Sequence, residues 1–116
     1  MASDPLIVEI TPNTPPFVDP FNLRVPWHFD GEIWFEILDA DETFVPPKGI
    51  VFQEGAPYTF VRLEPKKVVY SAHNDNANLT GIRFSYTIEL ESGPLHFPGE
   101  DPTVENDPPG GGPPED

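Results

Sequence analysis

A chain of 116 residues without cysteine suffices for one domain with a single core, and it excludes a disulfide framework or a thiolate metal site. Twenty acidic residues against six basic ones give a net charge of −14, which repels nucleic acid and anionic lipid and leaves cations and basic proteins as partners. No apolar run reaches the roughly 18 residues a membrane span needs, and the opening MASDPLIVEI lacks the basic flank and long apolar core of a signal peptide. The expectation is a cytoplasmic protein, or one exported by a route that leaves no N-terminal mark.

Seventeen prolines rule out long helices and confine themselves to edges and turns. Phe, Tyr, Trp, Val and Ile dominate the apolar set, as strands prefer. An all-β chain follows. Leu6 to Ile10 reads as the first strand and proline-rich Thr11 to Pro20 as a loop or edge segment. Phe21 to Val25 reads as the second strand, closed by Pro26. In WHFDGEIWFEIL, from Trp27 to Leu38, the pair Asp30-Gly31 signals a hairpin turn, because a tight turn of this kind needs positive φ at both central residues. The main strand then starts at Glu32, with Ile33, Phe35 and Ile37 facing the core and Trp34 opposite, covered by Trp27 or a loop. The rival reading is one continuous strand with a bulge at Gly31.

Asp39 to Glu42 is a polar loop, and Phe44-Val45 a short extended piece before Pro46-Pro47. Gly49 to Gln53, Tyr58 to Leu63 and Lys67 to Ala72 follow as strands, the second alternating Tyr58, Phe60 and Arg62 against Thr59, Val61 and Leu63. His73 to Asn78 forms a turn-making cluster. Thr80 to Leu90 is the clearest strand: Ile82, Phe84, Tyr86, Ile88 and Leu90 alternate with Arg83, Ser85, Thr87 and Glu89, giving one oily and one wet face. Pro94 to Phe97 is a candidate edge strand. Seven to eight short strands at this spacing predict an antiparallel, immunoglobulin-like Greek-key β-sandwich over residues 1–106. Trp34, Phe35, Phe52, Phe60, Tyr70, Phe84 and Tyr86 would fill its core. From Pro98 the composition turns acidic and rich in proline and glycine, too poor in apolar surface to order itself. Residues 107–116 are expected to be a flexible tail, with Thr103 to Glu105 able to lie along a sheet edge.

Two segments together, Gly81-Ile82-Arg83-Phe84-Ser85-Tyr86-Thr87-Ile88 and Asp101-Pro102-Thr103-Val104-Glu105-Asn106-Asp107-Pro108-Pro109, resemble the DP-EP family of small bacterial β-sandwich proteins of unknown role. The second is also distantly similar to the ending of a bacterial inclusion-body family. The resemblance covers the last third of the chain. It implies a β-sandwich and a structured last segment from Asp101 to Asn106, and it carries over no catalytic residue.

Candidate chemistry is sparse. Asp39, Asp41 and Glu42 in one loop and Asn74, Asp75 and Asn76 in another offer oxygen ligands for calcium, with Asp39, Asp41 and Asp75 the leading candidates. Turn chemistry and solvated charge explain the same residues. His28, Asp30 and Glu32 would share a face for a transition metal only on a continuous strand, and His73 and His96 have no partner at ligand spacing. Ser71, Ser85 and Ser92 lack the Gly-x-Ser-x-Gly elbow of a nucleophile. Asn78-Leu79-Thr80 fits a glycosylation sequon, of consequence only in a secreted eukaryotic protein. The sequence therefore favours a non-enzymatic sandwich acting by self-association or protein binding. The alternatives are calcium-assisted binding of a ligand or carbohydrate and, less favoured, a hydrolase or metalloenzyme.

Overall fold

The computed structural model describes residues 4–15, 17–38, 40–95, 97 and 99–109. Ten strands form two sheets. They are β1 (Leu6–Ile10), β2 (Val18–Asp19), β3 (Asn22–Val25), β4 (Asp30–Ile37), β5 (Ile50–Phe52), β6 (Thr59–Glu64), β7 (Lys67–His73), β8 (Arg83–Leu90), β9 (Gly93–Pro94) and β10 (Thr103–Asn106). A short 3₁₀ turn, Ala77–Leu79, is the only helical element among the described residues. The first sheet runs β2-β1-β4-β7-β6. The second runs β3-β10-β8-β5, with β9 folded back on β8. One oily cluster lies between them and draws on both. Phe35 of β4 meets Tyr86 of β8 edge-on at 5.2 Å, and Phe52 of β5 meets Tyr70 of β7 at 5.0 Å. The Tyr70 hydroxyl also crosses the gap to donate to the Ile50 carbonyl at 2.5 Å.

The all-β architecture stands, and alternating patterning accounts for it. In β8 the residues Phe84, Tyr86, Ile88 and Leu90 are buried and those between them face out. Several details depart from the sequence expectation. The sheets are mixed rather than wholly antiparallel. β1 runs parallel to β4 and β3 parallel to β10, because the intervening chain crosses to the other sheet before returning. The turn expected at Asp30-Gly31 lies three residues earlier. The Phe29 amide closes on the Pro26 carbonyl at 3.0 Å with His28 at φ 70°. Asp30 and Gly31 continue β4, paired with His73 and Ala72 without a bulge. Histidine tolerates the left-handed region better than branched residues do, and the partner strand β7 holds Gly31 extended.

The third departure concerns which aromatics fill the core: Trp34 lies on the outer face, as its place opposite Ile33, Phe35 and Ile37 predicts, and is absent from the core it was expected to help fill. Tyr58, Phe29 and Phe44 are buried in the core instead. The fourth is a bulge between Phe60 and Arg62. It exposes Val61 and Arg62 and turns Leu63 inward, which spares Arg62 the core position that strict alternation would assign. The fifth is β10, which is no edge. It lies between β3 and β8, with Val104 fully buried and Asn106 almost so. Ile82, expected in the central strand, precedes it and is exposed.

Beyond β10, the Asp107 amide donates to the Val25 carbonyl at 2.9 Å, and its carboxylate pairs with Arg24 at 2.7 Å. Gly110 to Asp116, most of the expected tail, lie outside the described residues. No helix among the described residues is long and apolar enough to cross a membrane.

Candidate functional site

The chain's two loop ends and two outer faces offer four places to look. At one end, the loops after β1, β4 and β8 make a shallow cleft lined by Asn13, Asp41, Glu42, Thr43, Glu91 and Ser92. The Ser92 hydroxyl donates to Glu42 at 2.8 Å. Asp41 is therefore at this end. Asp75 follows β7, whose last residue His73 pairs with Asp30 at the opposite end of β4. Six to seven residues of strand separate the two ends, roughly 20 Å, so Asp41 and Asp75 cannot share an ion. Asp39 lies outside the described residues. Among those described, no group of three His, Cys, Asp or Glu side chains converges on a metal-sized site. Of the histidine trio, His28 sits in the turn against Trp27, at 4.9 Å between rings. Asp30 instead meets His73 at 2.9 Å, and Glu32 accepts from Trp34. His96 lies outside the described residues.

The serine hydroxyls are occupied elsewhere. Ser85 donates to Gln53 at 3.0 Å and Ser71 to the Thr59 carbonyl at 3.5 Å. Asn78 is exposed in the 3₁₀ turn, and the Thr80 hydroxyl of the sequon is bonded to the Ala77 carbonyl at 2.8 Å.

The opposite end is built on Asn74, which is fully buried. Its side-chain amide donates to three carbonyls, Val25 at 2.8 Å, Asp107 at 2.9 Å and Pro26 at 3.1 Å. Its backbone amide donates to Phe29 at 2.9 Å, and its carbonyl accepts from His28 at 2.7 Å. One side chain thus fastens the ends of β3, β7 and β10. This is structural work.

The outer face of the second sheet is mainly polar, with Val51 of β5 exposed among hydrogen-bonded neighbours. Thr103 donates to Asn22 at 2.6 Å, Arg83 reaches Glu105 at 3.3 Å, and Gln53 caps Ser85.

The outer face of the first sheet differs. Strand register aligns Ile7 of β1 with Trp34 of β4, Trp34 with Val69 of β7, and Val69 with the bulged pair Val61-Arg62 of β6. These positions make an apolar row across four strands on a face that water should own. Its ends are open, Ile7 and Val61 each being 42% exposed, while Val69 in the middle is fully covered. Trp34 is half-buried and held at both ends. Its indole N–H donates to Glu32 at 2.9 Å, and the Lys67 ammonium sits 4.0 Å above the ring. Carboxylates rim the row: Glu9, Glu32, Glu36 and Glu64. The two cations on this face are already engaged, Lys67 on Trp34 and Arg62 on Glu64 at 2.8 Å. Sequence reading missed this row because its members come from four separate strands, and only register brings them together. The one available signal was tryptophan at an outward position of an alternating strand.

No protein-family model, curated protein sequence or solved structure matches the chain.

Proposed function

We propose that this protein is a non-enzymatic β-sandwich that binds protein, a partner or its own copy, through the outer face of its first sheet. The observation that carries the reading is the row Ile7–Trp34–Val69–Val61, apolar and open at both ends on a solvent-facing sheet. Tryptophan set among apolar neighbours and ringed by polar groups is the usual anatomy of an interface centre. The free sheet edges support the reading less. β2 and β5 are two and three residues long, and β6 is bulged and carries the Arg62–Glu64 pair, features that discourage strand addition. Protein fits the face better than sugar, because a sugar stacks on an open ring face and Lys67 covers that of Trp34.

The test uses the double variant Ile7→Thr/Val61→Thr, which removes the exposed ends of the row and leaves the core intact. Proteins retained by the immobilised wild type, or a dimer mass in sedimentation, should be lost in the variant while its melting temperature holds. An unchanged set of bound proteins and an unchanged mass would refute the reading.

A further inference from the structure

The charge and spacing of this face point to its occupant. We propose that it receives a basic amphipathic helix of a partner protein, laid across the strands so that its apolar stripe covers the accessible Ile7, Trp34 and Val61 and passes over Val69, which the chain itself already covers. The inference rests on the reading above and adds the partner's chemistry. Neighbouring strands are about 4.8 Å apart, close to the ~5.4 Å pitch of a helix. A helix crossing the strands can therefore set one apolar residue per turn against one row position. An extended strand repeats each face at about 6.6–6.8 Å and slips out of step within two positions.

Charge selects the partner's sign. Glu9 and Glu36 flank the row; Lys67 stands opposite Glu36 in register but lies over Trp34, and among the described residues neither carboxylate forms an ion pair. The face's own Lys67 and Arg62 are engaged within the chain. Lysines and arginines bordering a helix's apolar stripe would fall on this rim. A second copy brings the same carboxylates and a further charge of −14, which opposes association.

Two synthetic helical peptides of identical pattern, leucine on one stripe and either lysine or glutamate elsewhere, serve as probes against the intact chain. With the lysine peptide, amide and indole NMR shifts should cluster at Ile7, Trp34, Val61 and Lys67. Affinity should fall about tenfold or more from 50 to 300 mM salt as screening rises, and about fivefold or more in Ile7→Thr/Val61→Thr, since two exposed aliphatic contacts are trimmed. The glutamate peptide should not bind. Equal binding of the glutamate peptide, or a dimer that the double variant disperses, would overturn the partner's chemistry and leave the face as a docking surface. Shifts that map to the acidic loop cleft around Asp41 and Glu91, or no shifts at all, would overturn both.

Discussion

Three buried tyrosines show how single hydroxyls set this molecule's stability. Tyr58 donates to Asn106 at 2.9 Å and Tyr70 to Ile50 at 2.5 Å, whereas the Tyr86 hydroxyl, fully enclosed, has no hydrogen-bond partner among the described residues. A buried hydroxyl without a partner keeps its desolvation cost, and one with a partner recovers it. Tyr86→Phe should therefore raise stability by about 1 kcal/mol, and Tyr58→Phe should lower it by about as much or more, because Asn106 is then stranded. Urea titration of both variants checks the contrast.

Burial also raises all three phenols. Tyr70 is pushed up to about 12. Tyr86 goes beyond that range by burial, and so does Tyr58 by burial aided by nearby Glu105. The unfolded chain ionises them near pH 10, so unfolding releases protons above that value. Stability is full below pH 10 and drains as pH climbs toward 12, and Tyr86→Phe should flatten the slope. A wild-type urea midpoint that holds steady from pH 9 to 11 would contradict the burial of these rings. Asn74 is the other decisive residue. Asn74→Ala leaves three carbonyls short of a donor and should cost roughly 2–4 kcal/mol, counted as one or two buried groups left unpaired. Asn74→Asp should cost more at pH 7 than at pH 4, since a carboxylate facing carbonyls must be protonated to donate at all.

At the scale of elements, β10 governs the second sheet. Among the described residues β3 pairs with β10 alone, and β8 meets β3 only through it. A chain stopped at Glu100 should lose the cooperative unfolding transition, while Val104→Ala should cost roughly 2–3 kcal/mol, as a fully buried branched side chain does. Circular dichroism melts of both would decide whether β10 is a keystone or an appendage. The position of β10 was the least legible part of the fold. Its four residues carry only two apolar or buried positions, and its sequence neighbours are acidic and proline-rich. What fixes it is long-range register with β3 and β8, and the grip of Asn74 and Asn106 on residues 33 to 49 positions away. The strands that were legible, β4, β7 and β8, are those long enough for period-two patterning to outweigh turn signals. Asp30-Gly31 misled because a local turn preference yields when a neighbouring strand supplies a full ladder. The candidate interface was legible only as one outward tryptophan, since sequence order scatters Ile7, Trp34, Val69 and Val61 over four strands.

At the scale of the whole molecule, topology and charge fix which surface is free to work. β1 runs parallel to β4 and β10 parallel to β3, so the described chain enters and leaves at the Asn74 end. All three arginines are spent on ion pairs with Asp107, Glu64 and Glu105. Lys66 is bonded to the Ala40 carbonyl and Lys67 lies over Trp34. With twenty carboxylates on the chain and these cations already engaged, repulsion among the acidic residues outweighs local pairing. Self-repulsion of this kind destabilises a compact state and is screened by salt, with a Debye length falling from about 30 Å at 0.01 M to about 3 Å at 1 M. The folded form should gain roughly 1–2 kcal/mol between those limits, as surface charges separated by about 10 Å pass out of range. The exposed arginine pairs oppose this by a few tenths of a kcal/mol each. Chemical denaturation with urea, which adds no charge, measures the difference directly. Stability that falls with salt would mean that the attractive pairs prevail, and the electrostatic case for a basic partner would lose its driving force.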